Sequence, residues 1–333
     1  MESDVDISFI IPAYNVKKEF LDRCVKSIIE IKKIKYEILL VDDGSSKAFH
    51  EEDKKIAQKY NLKYIYKSQG GVGSARNIGI NASRGKYIFF VDADDAVVSS
   101  NFDNLSLAEN YDLYIFNVLV LLNDHKSNVG LSEKKGALKT KIVIPKMCKD
   151  SLMNWAVSKL YKRSFLLYNN IFFNEKMISG EDFDFVTHVI LNFPSIYYDD
   201  TVLYIYELQL STGQQRLINY SDQIISDINE MYSLRNMLLE KYVGQENKER
   251  LLVQASTQAI GDLFEVYMAN MLKKDNADIY KIIKEKSKKY YSKKLSPYIK
   301  LKSQIMIRNQ KNLAKILFSL KNIYRKISPR KFD

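Results

Sequence analysis

Cysteine is nearly absent: Cys24 and Cys148 are the two in 333 residues, far apart, with no C-x-x-C pair and no disulfide framework. Such scarcity suits a reducing compartment, so a cytoplasmic location is expected. Histidine is equally sparse. His50, His125 and His188 are scattered and support neither a metal cage nor a nucleophile triad. No apolar run reaches the roughly 18 residues that a spanning helix needs. The acidic start MESDVDISFIIPAYN lacks the basic and apolar regions of a signal peptide, so any membrane is expected to be met from its surface. No internal repeat or low-complexity linker separates parts of the chain.

What is present is ordinary in amount and uneven in placement. Hydrophobic residues at 46% and charged residues at 27% describe a globular protein, long enough for one large domain with an appendage or for two domains. The formal net charge of +11 and pI near 9.2 attract anions, whether nucleic acid, lipid head groups or phosphorylated substrates.

From Ile7 to Asp95, short apolar runs alternate with amphipathic stretches. ISFIIPAYN, YEILLVDDGSS, LKYIYK and KYIFFVDADD read as strands, with helices between them at KEFLDRCVKSIIEI, after Ser45 or Ser46 as cap, and at GVGSARNIGINAS. The β-α-β-α-β-α-β rhythm predicts a mostly parallel sheet with flanking helices, whose ligands bind at the carboxyl ends of the strands. Beyond it, YDLYIFNVLVLL reads as a strand or strand pair, LNDHKSNVGLSEKKGALKTK as polar connection, and NWAVSKLYKRSFLLYNN as helix up to its Asn-Asn turn. The expected division is 1–215 as an α/β domain and 216–333 as a basic helical region, with a soft boundary.

The polar clusters fall at the expected ligand edge. Asp92, Asp94 and Asp95 end a strand of five apolar residues. Carboxylates are hard ligands for Mg²⁺ or Mn²⁺, which take further ligands from substrate phosphates. A lone Asp-x-Asp would read more readily as a solvated turn; at this edge a metal-diphosphate site is the better reading. Gly71-x-Gly73 with Asp92 resembles part of a dinucleotide fingerprint and makes a nicotinamide oxidoreductase the competitor. Against it, Arg76 stands where the third glycine belongs, and the motif follows the third strand. VDDGSS resembles a receiver-like phosphoacceptor pocket, but such a domain is much shorter than this chain.

Taken in order, ISFIIPAYNVKKEFLDRCVKSI, YEILLVDDGSS, GGVGSARNIGINASRGKYIFFVDADD, WAVSKLYKRSF and ISGEDFDF resemble the inverting glycosyltransferases of family 2, with the GT-A fold. The likeness is close from Ile7 to Asp95, recurs in two islands between Trp155 and Phe185, and fades after Ser211. It implies that Pro12, Ala13, Tyr14 and Asn15 line the donor nucleotide site, with Tyr14 near uracil. Asp42 and Asp43 match the base-reading pair, Asp42 being preferred. Gly71 and Arg76 would shape the pocket, Asp92 and Ala93 would touch ribose or the metal's water, and Asp94 with Asp92 would hold Mn²⁺ or Mg²⁺. Asp182 becomes the candidate base and Glu181 its partner; by themselves, these acids could merely favour a helix N-terminus. On the acceptor side, Trp155 would stack on a sugar ring, with a place in the core as the equal alternative for a lone Trp, and Lys159 or Arg163 would face phosphate. The chain departs from the family at YELQLSTGQQR, where Ser211, Thr212 and Arg216 are substitutes.

The resemblance implies a UDP-sugar donor, a lipid-diphosphate-linked glycan acceptor and a role in capsular or other surface polysaccharide synthesis. It also implies a peripheral position at the inner face of the cell membrane. For the Tyr-rich basic tail, a solvated bundle is the plainest reading, a lipid surface is favoured over nucleic acid, and self-association is open. A catalytically silent nucleotide-sugar scaffold is the alternative from a different class.

Overall fold

The computed structural model describes residues 4–107, 110–122, 125–148, 151–207, 213–271, 277–317 and 319. The chain divides into two compact units. One comprises Met1–Val143, Asp150–Lys176 and Glu181–Gln209; the other comprises Ile144–Lys149, Met177–Gly180 and Leu210–Asp333.

The first unit begins β1 (Ile7–Ala13), α1 (Lys18–Ile29), β2 (Tyr36–Asp42), α2 (Lys47–Lys59), β3 (Lys63–Tyr66), α3 (Val72–Ala82) and β4 (Tyr87–Phe90). It continues with β5 (Ala96–Val97), α4 (Ser99–Phe102), β6 (Leu113–Leu122), β7 (His125–Val129), β8 (Gly136–Leu138), the start of α5 (Thr140–Met147), whose residues from Ile144 on belong to the other unit, α6 (Ser151–Asn154), β9 (Lys159–Lys162), α7 (Arg163–Tyr168), α8 (Glu181–Leu191) and β10 (Ile196–Glu207). The strands join in the order β3-β2-β1-β4-β9-β6-β10-β5, with β7 on β6 and β8 on β10. The first four are parallel; β9 runs antiparallel to both β4 and β6. This is the expected mixed α/β architecture of GT-A type, with a helical C-terminal region.

Register places the site. Ala13 pairs with Asp42, Asp42 with Tyr66, and Ile10 with Phe90. The residues after β1, β2, β3 and β4 therefore emerge side by side along one sheet edge. β1 is buried along its whole length, as a strand covered on both faces must be. Phe9 meets Phe89 and Phe102 edge-on, with centroids 5.7 and 5.3 Å away. Complete burial of each such ring contributes on the order of 1.5–3 kcal/mol.

Three sequence expectations change. LYK lies in a strand, β9, because Leu160 and Tyr161 fill the interior between β4 and β6; tertiary burial overrides the helical pattern. The stretch read as connection holds β7, a hairpin partner of β6. Ser46 is the N-cap of α2 but makes no capping bond, and the Ser45 hydroxyl instead accepts from the Asn15 N–H at 2.9 Å.

The second unit carries α9 (Gly213–Asn219), α10 (Ser221–Tyr242), α11 (Gln245–Asn270), α12 (Ala277–Tyr290) and α13 (Pro297–Arg308). Leu238, Leu239, Ile260, Leu263 and Tyr267 are fully buried, so packing of the α10 and α11 apolar faces sustains these helices. Local signals bound α13. Ser296 caps it by accepting from Ile299 N–H, Pro297 occupies its first turn, and Asn309 ends it in the left-handed conformation at φ 52°.

Candidate active site

Arg76 organises the sheet edge. It projects from α3, is 2% exposed, and passes beside the rings of Phe173 and Phe90 at 5.1 and 5.9 Å. Its Nη2 donates to Asp92 Oδ1 at 2.8 Å and its Nη1 to Asp182 Oδ1 at 2.5 Å, with Glu181 Oε1 at 3.9 Å. One guanidinium thus spans the end of β4 and the start of α8. Burial opposes its charge, but Asp182, Asp92 and Glu181 together raise its pKa above the ordinary value. Arg76 was expected in the nucleotide pocket; here its fork is turned into the acids. Asp182 Oδ2 also accepts from Ala156 N–H at 2.9 Å, which fixes the carboxylate from a third segment.

The three acids after β4 have unequal surroundings. Asp95 is 1% exposed and accepts from Tyr204 Oη at 2.6 Å and from Glu207 N–H at 2.9 Å, which ties β10 to the loop. Burial, then Asp92, pushes its carboxyl up to about 8. Asp92 is also raised, by the enclosing protein, with Asp182 and Asp94 adding to the shift and Arg76 opposing it. Asp94 is half-buried. Its carbonyl accepts from Arg23 at 2.5 Å, but its carboxylate takes no hydrogen bond from a described residue. The Asp94 carboxylate and the second oxygen of Asp92 are therefore the hard ligands on offer. Among the described residues no group of three or more His, Cys, Asp or Glu forms a protein-only metal cage.

The acidic pair after β2 is differently placed, which corrects the reading of Asp42. That side chain is 0% exposed and accepts from Ser45 N–H at 2.8 Å, His50 Nδ1 at 2.8 Å and Tyr64 Oη at 2.5 Å. Burial raises its pKa, but those donors outweigh it and hold the carboxyl below the ordinary value. Both oxygens already take donors from the protein, and the side chain is closed off from solvent. Asp43 accepts from Lys67, from Gly70 N–H at 2.9 Å and from Gly71 N–H at 2.7 Å, and so holds the loop that opens α3. Gly71 sits at φ 91°, which disfavours any side chain. At Gly44, φ 79°, a Cβ would stand 2.5 Å from Gln69 N, so glycine is needed for the two loops to meet.

Tyr14 is 46% exposed just past β1, followed by Asn15 at φ 50°, whose Oδ1 accepts from Ser46 N–H. Pro12, Ala13 and Ala93 are buried beneath this rim. Trp155 is half-buried with its ring 5.4 Å from Tyr206. Lys159 is a second correction. It is 0% exposed, and its ammonium donates to the carbonyls of Leu152 and Trp155 at 2.6 Å each, so it cannot face an acceptor. Arg163 donates to Ser83 at the opposite sheet edge, before β4. Ser211 and Thr212 lie outside the described residues; Arg216 is exposed on α9 of the other unit. Sequence reasoning missed Arg23, His50, Tyr64 and Tyr204, which hold the acids and their loops and carry no motif.

Comparison with known proteins matches this edge to a family. The model named Glycosyl transferase family 2 matches residues 8–105. The matched stretch takes in β1 to β4 and the acids after them. "Uncharacterized glycosyltransferase EpsJ" of Bacillus subtilis is 31% identical over 212 residues, 60% of this chain and 60% of EpsJ's own length. The solved structure of Staphylococcus aureus TarS 1-349 in complex with UDP-GlcNAc has a TM-score of 0.61 at 18% identity, covering 93% of this chain and 91% of that one. The mannosyltransferase PcManGT of Pyrobaculum calidifontis, solved with GDP-Man and Mn²⁺, has a TM-score of 0.52 at 14% identity, covering 98% and 91%. At these identities both likenesses are of fold alone. The nicotinamide reading loses its ground: the family match takes in the same glycines, and α3 directs Arg76 at carboxylates.

Proposed function

We propose that this chain transfers a sugar from a UDP-sugar to a hydroxyl of a glycan acceptor, with inversion at the anomeric carbon. The observation that carries the reading is Arg76, which brings Asp92 and Asp182 within one guanidinium's reach. Charge at a donor site and a base for an acceptor are what such a transfer needs in one place. The UDP-GlcNAc held by TarS 1-349 supports a uridine donor.

Asp182 takes the proton of the acceptor hydroxyl as its oxygen bonds to the anomeric carbon from the face opposite the leaving group. The bond from that carbon to the diphosphate oxygen breaks, and the electron pair leaves with the nucleoside diphosphate. Arg76 and the Ala156 N–H hold Asp182 in position, and Glu181 orients the acceptor. Tyr14 offers its exposed ring to the base. A half-buried Asp94 carboxylate with no donor among the described residues fits a divalent ion. Bound there by Asp94 and Asp92, Mn²⁺ or Mg²⁺ would offset charge on the leaving diphosphate; the Mn²⁺ of PcManGT supports this assignment.

The acceptor is proposed to be lipid-diphosphate-linked, in surface or capsular polysaccharide synthesis, with the chain peripheral to the membrane and its C-terminal helices serving that association. No described helix is long and apolar enough to cross a membrane. The test is UDP release from UDP-glucose, UDP-galactose and their N-acetyl forms, with and without Mn²⁺. One donor should give metal-dependent release, and Asp182→Asn should bind that donor yet release nothing. Silence with every nucleotide sugar would sink the reading, and donor binding with no turnover would leave a scaffold.

A further inference from the structure

Positive charge in this chain is concentrated. Residues 277–317 contain twelve Lys or Arg against two acids, Asp278 and Glu285, close to the whole chain's net +11. Apolar residues are exposed in the same stretch. Tyr291, Tyr298, Leu301, Leu313 and Ile316 are all exposed there, although globular surfaces seldom group such side chains.

Both sets stand on the exposed sides of three consecutive helical segments. On α12, Ile283, Ser287 and Tyr290 turn inward while Lys281, Lys284 and Lys288 stand exposed. On α13, Ile299, Ile305 and Met306 are buried while Tyr298, Leu301 and Arg308 face out. Residues 311–317 are helical, with Ala314 inside and Leu313, Lys315 and Ile316 outside. Lys281, Lys284, Lys288 and Arg308 line a groove of about 680 Å³ with Tyr280 and Met306. Lys311 lies over the Tyr280 ring at 4.7 Å, joining the third segment to α12. None of the four groove cations forms an ion pair with a described residue.

We infer that α12, α13 and residues 311–317 form the face that docks on an anionic lipid bilayer, with the groove between Lys284 and Arg308 receiving head-group phosphates. The inference deepens the peripheral association proposed above and rests on it. Cations alone would serve a soluble polyanion or nucleic acid as well. Exposed Leu301, Leu313 and Ile316 would gain nothing from such partners, whereas the bilayer interface takes aliphatic and tyrosine side chains beside lysine. Each cation near an anionic surface adds attraction that salt screens.

Flotation of the full chain with vesicles tests this without any sugar donor. The protein should float with phosphatidylcholine vesicles containing phosphatidylglycerol, should not float with phosphatidylcholine alone, and should be released by salt. Reversing Lys281, Lys284 and Lys288 to Glu should weaken flotation more than about tenfold. Leu301→Asp with Ile316→Asp should weaken it comparably, while Ile316→Trp should preserve it. Phe193→Asp, at an exposed site of the other unit, should have no effect, and circular dichroism melting verifies that each variant is folded. If the wild type ignores every vesicle, the peripheral association fails with this inference; if it floats and the variants float equally, only the assigned face is wrong. Binding of inorganic polyphosphate that is unchanged by Leu301→Asp with Ile316→Asp, without flotation, would overturn the bilayer in favour of a soluble polyanion.

Discussion

Two acidic clusters end neighbouring parallel strands, and the fold treats them in opposite ways. After β2, Asp42 and Asp43 receive donors on every oxygen: two side chains and a backbone N–H on one, a lysine and two backbone N–H groups on the other. After β4, Asp95 is spent on β10 and Asp92 is shared with Arg76, while the Asp94 carboxylate has no described donor. A carboxylate that the protein has already satisfied builds loops; one that it leaves unsatisfied is where a ligand can enter. Motif position alone does not tell them apart, since both clusters sit at the same edge.

If the comparison holds, activity and stability should separate between them. Asp94→Ala should lower metal-dependent UDP release on the order of 10²- to 10³-fold while leaving the melting temperature unchanged, read by coupled assay and differential scanning fluorimetry. Asp42→Ala should do the reverse in kind. Removing it strands Tyr64, the Ser45 N–H and His50 in a buried place, at a cost of about 3 kcal/mol in urea unfolding. Equal loss of stability in both variants would end the distinction.

The same contrast shows how far the sequence could be read. The four parallel strands and the edge they share were legible because apolar runs of period-independent strand length alternate with amphipathic helices from Ile7 to Phe90. The acids were legible as a group for the same reason. Their division of labour was not, because it depends on Tyr64, Tyr204 and Ala156, which lie far away in sequence and look like ordinary core or loop residues. Lys159 misled for a related reason. In a segment read as helix it stands as a cation toward solvent, whereas β9 buries it and three main-chain carbonyls, the third at 3.4 Å, take its protons. Lys159→Met should therefore cost about 2 kcal/mol of stability and leave the affinity for an acceptor analogue unchanged once the protein is folded; isothermal titration at low temperature separates the two.

Asp53 sharpens the comparison from a third side, as an acid that is buried without donors and belongs to neither cluster. It lies on α2, is 1% exposed, and both its oxygens lack a hydrogen-bond partner among the described residues. Burial first, then the charges of Asp42 and Glu52, push its carboxyl up from 3.8 to about 7. Because the folded value lies above the unfolded one, the native state holds its proton longer than the unfolded chain does. Its contribution to stability is present below pH 3.8 and is lost as the pH rises through about 7. Each unit of such a shift corresponds to about 1.4 kcal/mol, reduced here by whatever relaxation lets water reach the carboxylate. Asp53→Asn should remove that slope, so the variant should gain melting temperature over the wild type at pH 8 and little at pH 4.5, by about 2–4 °C for each kcal/mol in a unit of this size. A gain that is the same at both pH values would mean that Asp53 acts through packing rather than charge, and burial without donors would then cease to mark a strained acid in this fold.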